Sequence, residues 1–240
     1  MNLKFLPLAG ALAMAGPAFG ISVNMTDFSF AGPLAVVVTD PSTGGTETAL
    51  AGQFFGTQTV SDDAGIGTAS AVRRAAASAV VSRSFTAYCA ELTQTFTFGV
   101  TYDYTPTGGL AYFGAAKYDA LSRLFTATAG FVTNSDTSAA VQAGIWEIIY
   151  ETASTYDLGN NGFRAAPADG ATEGTFAAFA RVNTVLHNLS SSSALYSIDV
   201  LTNGVAQDFL VARAVPEPGS WALLAGGLGV LGLLARRRRG

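Results

Sequence analysis

The chain reads as α+β and mainly β: a β-sandwich or barrel with a helical insertion between its strand sets. Three observations predict this. Between residues 21 and 60, short apolar runs such as Val36 to Val38 are separated by Gly-Pro, Asp-Pro and Gly-Gly punctuation at 32 to 33, 40 to 41 and 44 to 45. Phe96, Phe98, Val100, Tyr102 and Tyr104 alternate with polar or small residues at period two, which predicts a strand with one buried face within Val80 to Tyr104. Near the other end, Ala194 to Thr202 and Val205 to Ala214 flank Asn203-Gly204, a dipeptide suited to a two-residue hairpin turn.

The elements follow in order. Met1 to Gly20 has Lys4 as a positive start, an apolar run from Phe5 to Ala15 and small residues around Ala18-Phe19-Gly20, the three-part pattern of a signal peptide. Cleavage is expected after Ala18 or Gly20, so the exported body is one domain from Ile21 to Ala214. Within it the period changes to helical at Tyr118, Leu121, Leu124 and Phe125, and again at Phe176, Phe179, Val182, Leu186 and Leu189. A third helix, capped by Asp136 or Thr137, carries Val141, Ile145, Trp146, Ile148 and Ile149 before Ser154 to Gly162 breaks it.

Charge narrows the partners. Of 13 basic and 17 acidic residues, Lys4, Arg236 to Arg239 and Glu217 lie at the ends, which leaves 8 against 16 in the body, a net of −8. A body this acidic argues against binding a phosphate backbone, so no nucleic acid partner is expected. His187 is the only histidine, which leaves poor material for a histidine triad and none for a histidine-clustered metal site. No metal, cofactor or turnover catalysis is expected, and no spacing among the 16 body carboxylates singles out an acid and base pair. Asp157 to Gly162 is oxygen-rich but lacks calcium-loop spacing and reads as a turn; Arg73-Arg74 and Asp62-Asp63 read as a solvated loop.

The last 26 residues have their own order. Val215-Pro216-Glu217-Pro218 comes first, and its prolines keep it out of regular helix or central strand, open to a processing enzyme. Trp221 to Ala235 is apolar; at 1.5 Å per residue its 15 residues reach about 22 Å, short of a bilayer core of roughly 30 Å. Arg236, Arg237, Arg238 and Arg239 stop the run and place that end on the cytoplasmic side. This order resembles the PEP-CTERM sorting signal of Gram-negative bacteria. The resemblance implies recognition by a membrane-embedded exosortase, a transient stay in the inner membrane, removal of the tail and delivery to the cell surface or an exopolysaccharide matrix.

Two residues inside the body do not read as ordinary core. Gln142 sits within the apolar stripe made by Ile145, Trp146 and Ile149, so its amide is hydrogen-bonded inside, lies at the stripe's edge or has changed its chemistry. Cys89 is the one cysteine, an unpaired thiol on a chain bound for an oxidising compartment. Tyr88-Cys89-Ala90-Glu91 and Val141-Gln142-Ala143-Gly144-Ile145-Trp146 resemble the two signature motifs of bacterial surface thioester domains, which act in adhesion. The resemblance implies that Cys89 and Gln142 condense into an internal thioester with loss of ammonia, that Tyr88 and Trp146 shield it from water, and that an amine-bearing surface or exopolysaccharide displaces Cys89 and stays bound to Gln142. Lys117 is the only lysine between Ile21 and Ala214, which limits reaction between copies. The alternative is a noncovalent structural or carbohydrate-contacting matrix protein in which Cys89 and Gln142 are merely buried.

Overall fold

The computed structural model describes residues 20–41, 43–60 and 81–215. The expected leader, apart from Gly20, and the tail beyond Val215 lie outside these residues, as do Asp62-Asp63 and Arg73-Arg74. No helix among the described residues is long and apolar enough to cross a membrane.

Nine strands and four helices are arranged along the described chain. The first strands are β1 (Ile21–Phe28), β2 (Leu34–Thr39), β3 (Thr46–Ala51), β4 (Phe54–Val60), β5 (Val81–Cys89) and β6 (Thr101–Gly108). The insertion follows as α1 (Gly109–Phe113), α2 (Ala115–Ala127), α3 (Ser135–Tyr150), β7 (Arg164–Pro167) and α4 (Glu173–His187), and β8 (Tyr196–Thr202) and β9 (Phe209–Ala214) end the body. Of the two architectures the sequence allows, the barrel is the one formed: β1-β4-β5-β9-β8-β6 close on themselves, with Ile21 opposite Tyr104 at the seam. Closure leaves this sheet without a free edge. A second sheet, β3-β2-β7, borrows its last strand from the insertion, a short Arg-Ala-Ala-Pro stretch that shows no apolar alternation of its own.

The three long helices lie where the apolar spacing predicts. Helix α3 is capped earlier than expected, by Asn134 and not by Asp136 or Thr137, and the Asn134 side chain accepts from the Thr137 amide at 2.9 Å. Thr137 completes a capping box, while Asp136 instead accepts from Thr175 Oγ1 at 2.6 Å and ties α3 to the start of α4. Every residue of α3 from Ser138 to Ile148 is buried, as befits a helix packed on several sides. Leu189, predicted as part of α4, falls in a separate turn of 3₁₀ helix, Leu189–Ser191.

Two strand predictions are corrected. The alternation at Phe96 and Phe98 is not a strand: the chain between Cys89 and Thr101 is irregular and Gly99 turns it with φ 75°. Its aromatic rings instead plug one cluster, with Phe96 at 5.0 Å from Phe209 and 5.3 Å from Phe54, ring centroid to centroid. The side chains alternate because each ring finds a neighbour, not because the backbone pairs. The terminal hairpin forms, with Leu201 opposite Phe209, but through residues 203 to 208 and not a two-residue turn. Asn203 draws the loop wider, since its side-chain oxygen accepts from the Val205 and Ala206 amides at 2.8 and 2.9 Å.

Candidate functional site

Cys89 is the last residue of β5, and its neighbour β4 stops short of it. The β4 register ends with Phe54 opposite Ala87, whereas on the other side β9 still pairs Phe209 with Cys89. The Cys89 N–H and C=O that face β4 therefore have no strand to meet. Gln142 takes both. The Cys89 N–H donates to Gln142 Oε1 at 2.8 Å, and Gln142 Nε2 donates to the Cys89 carbonyl at 3.0 Å. Gln142 is fully buried, so of the three states open to an amide in an apolar stripe, hydrogen bonding inside is the one present.

The same face of α3 continues the pattern in both directions. Ser138, one turn earlier, accepts from the Gln53 N–H at 2.5 Å, just before β4 begins. Trp146, one turn later, closes over the space next to Cys89. Residues four apart stack on one helix face, so Ser138, Gln142 and Trp146 form a row along the line that β4 vacates. The first binds the Gln53 N–H just ahead of β4, the second binds the Cys89 groups that β4 leaves unpaired on β5, and the third walls the opening.

That opening is a cavity of about 320 Å³ lined by Cys89, Glu91, Gln94, Phe96, Trp146 and Gln207 among others, with Glu47 and the exposed Leu50 also on its wall. Trp146 is 1% exposed, and among the described residues its indole Nε1 has no hydrogen-bond partner; neither has the buried Oε1 of Gln94. Two loops meet at the cavity beside the cysteine. Gln207 Nε2 donates to the Glu91 carbonyl at 2.7 Å, the Asp208 N–H donates to Glu91 Oε1 at 3.0 Å, and Thr93 Oγ1 donates to Glu91 Oε2 at 3.1 Å. Tyr104 anchors the far side by donating to the Gln207 carbonyl at 3.0 Å.

Burial pushes the Cys89 thiol far above its ordinary range, the Glu91 charge adds to the rise, and a hydrogen bond with Gln207 opposes it. Reactive cysteines sit in electropositive settings that favour the thiolate. Cys89 sits in the reverse setting. What the geometry does supply is polarisation of the carbon partner: a main-chain N–H aimed at Gln142 Oε1 is placed as a donor to the oxyanion that nucleophilic attack at that carbonyl would create.

Of the two residues expected to shield this pair, Trp146 lines the cavity and Tyr88 does not. Successive side chains on a strand point to opposite faces, so Tyr88 turns away from Cys89. Its ring packs 5.8 Å from that of Phe125, its hydroxyl accepts from Gln53 Nε2 at 3.3 Å, and it lines a separate cavity of about 220 Å³. The aromatic wall on the cysteine side comes from Phe54, Phe96 and Phe98. Ser138 was readable in advance as the residue four before Gln142. Gln207 carried no local signal, because only barrel closure brings it near.

Asp157 accepts from the Gly159 N–H at 2.9 Å and pairs with His187 Nε2 at 3.1 Å, which makes the 157 to 162 segment a turn fastened to α4. Among the described residues no group of three or more His, Cys, Asp or Glu side chains could hold a metal. Lys117 donates its ammonium to the Ile149 carbonyl in the last turn of α3.

Comparison with known proteins singles out the C-terminal end. No curated protein and no solved structure matches the chain. Residues 214–239 match the family description "PEP-CTERM protein-sorting motif". The order seen there, a Val-Pro-Glu-Pro box, an apolar run and an arginine cluster, is thereby assigned: the chain carries the sorting signal of an exosortase-processed protein exported to the cell envelope or surface.

Proposed function

We propose that this exported protein attaches itself covalently to amines at the cell surface or in an exopolysaccharide matrix, through an internal thioester between Cys89 and Gln142. The single observation that supports the reading is the pair of reciprocal hydrogen bonds between the Gln142 amide and the Cys89 main chain beside a cavity. In the forming step the Cys89 sulfur bonds to Gln142 Cδ, the Cδ–Nε2 bond breaks, and the thiol proton leaves with the nitrogen as ammonia. The Cys89 N–H holds Oε1 throughout. Phe54, Phe96 and Trp146 keep water from the acyl–sulfur bond. A primary amine then attacks Cδ, the carbon–sulfur bond breaks, and the thiol is regenerated. Each molecule acts once and is not a turnover enzyme.

Sorting precedes attachment. The apolar segment 221–235 and the arginines at 236 to 239 hold the chain in the inner membrane until exosortase removes the tail. Intact mass of the secreted protein tests the whole sequence of events. The expected species begins near Ile21, lacks the arginine tail and is lighter by one ammonia, and the ammonia deficit vanishes in Cys89→Ala. Full mass for the body would leave Gln142 as a structural bridge and favour the noncovalent, carbohydrate-contacting reading.

A further inference from the structure

The cavity beside Cys89 holds more polar groups than shielding alone requires. Glu91 lies two residues beyond the cysteine, fixed by Thr93 and by the Asp208 amide. Glu47 is exposed on the wall of the same opening, with aromatic and aliphatic walls between the two carboxylates. Trp146 lines this space from α3, and its buried indole N–H has no partner among the described residues.

We propose that the cavity selects its acyl acceptor as an unbranched alkylammonium bearing or neighbouring a second positive charge, with Glu47 steering the cation in and Glu91 taking the proton that the amine must lose. This rests on the thioester reading and adds the substrate class. The arriving R–NH₃⁺ gives one proton to Glu91 and becomes nucleophilic. Its nitrogen bonds to Gln142 Cδ, its second proton passes to the departing sulfur, and Glu91 releases its proton to water. The Phe54, Phe96 and Phe98 wall accommodates a methylene chain and, through ring faces, favours the cation over a neutral or acidic head. Body charge works the same way, since a net of −8 draws cations toward it.

The experiment uses the mature secreted protein and three amines. Methylamine, read by mass at Gln142, reports the thioester itself. Cadaverine, a linear diamine, and δ-aminovalerate, which carries a carboxylate in place of the second ammonium, report selection at matched chain length. Cadaverine is expected to react roughly two- to fivefold faster per amine than δ-aminovalerate at low salt, the size of effect that exposed charge pairs produce. Glu47→Gln should collapse that preference, while Glu91→Gln should slow both amines by roughly tenfold or more, as removal of a proton acceptor does. Labelling by methylamine with equal rates for the two longer amines overturns the selection and leaves the thioester standing, and so does a preference that survives Glu47→Gln. Unchanged rates in Glu91→Gln overturn its proton role. Absence of methylamine labelling in a protein of full mass overturns both readings together.

Discussion

The main-chain N–H of Gln53 donates to the hydroxyl of Ser138 at 2.5 Å, so the first turn of α3 is fastened to the residue just before strand β4 of the barrel. Ser138 is buried. Removing the hydroxyl in Ser138→Ala strands that donor and is expected to lower stability by about 1–2 kcal/mol. Urea unfolding measures it, and a midpoint equal to that of the parent would show that the contact fixes nothing.

Gln142 and Cys89 should respond unequally to substitution. The bonds between them use the side chain of one and only the main chain of the other. Cys89→Ala therefore keeps the bridge, whereas Gln142→Leu leaves a buried N–H and C=O unpaired at a cost of about 2–4 kcal/mol. Denaturation of both variants, each prepared without a thioester, should rank Gln142→Leu as clearly the less stable. The reverse order would mean that packing of the sulfur outweighs the amide bridge.

Glu147 makes stability depend on pH. It is fully buried, and burial lifts its carboxyl from 4.5 to about 7, helped by the charges of Glu151 and Asp157 and opposed by the Asp157 N–H. A carboxyl whose folded value lies above its unfolded one holds its proton more tightly when folded. Its contribution is thus fully present below the ordinary carboxyl range and declines as pH rises through that range to about 7. Glu151 works in the opposite sense: burial pushes its carboxyl up, but the Ala153, Phe163 and Thr152 amides together outweigh it and hold the carboxyl below the usual value, so it contributes above that value. Glu147→Gln, which preserves an acceptor for the Asp157 N–H, should abolish the decline and leave the variant more stable than the parent at mildly alkaline pH. Unfolding midpoints across a pH series give the answer, and parallel curves for the two proteins would refute it.

Helices α3 and α4 touch where Gly144 meets Val182. A Cβ on residue 144 would lie 2.8 Å from Val182 Cγ1, closer than carbon atoms pack. Gly144→Ala should cost about 1–3 kcal/mol through overpacking despite the better helix propensity of alanine. Val182→Ala added to it should recover part of the loss, so that the two changes are non-additive in thermal unfolding. Strict additivity would place the strain elsewhere.

Much of this molecule could be read from local pattern. The helices followed from apolar spacing because each buries apolar residues, α2 against the barrel and α3 and α4 against one another and the second sheet, and the final hairpin followed from two apolar runs around Asn203-Gly204. What escaped depended on distant chain. Phe96 and Phe98 mimic a strand because they fill an aromatic cluster completed by Phe54 and Phe209. Strand β7 is defined only by pairing with β2, with Val37 opposite Ala166. At the site, Cys89 and Gln142 stood out as residues unsuited to their surroundings, and Trp146 followed from helix geometry. The placement of Tyr88 did not follow from adjacency, because neighbours on a strand face apart.

The place where β4 begins, short of Cys89, also bears on how the body carries force. Strand β9 leads directly to Val215 and the sorting tail, and it is bonded alongside β5 as far as Cys89. Cys89 in turn is bonded to Gln142, so in a molecule held at Gln142 and pulled from its C-terminal end this amide bridge passes load into the end of β5 and on to β9, which β8 also holds from Tyr196 to Leu201. The main chain between Gln142 and β9 runs through α4 and β8, so the hydrogen-bonded route is a shortcut across them.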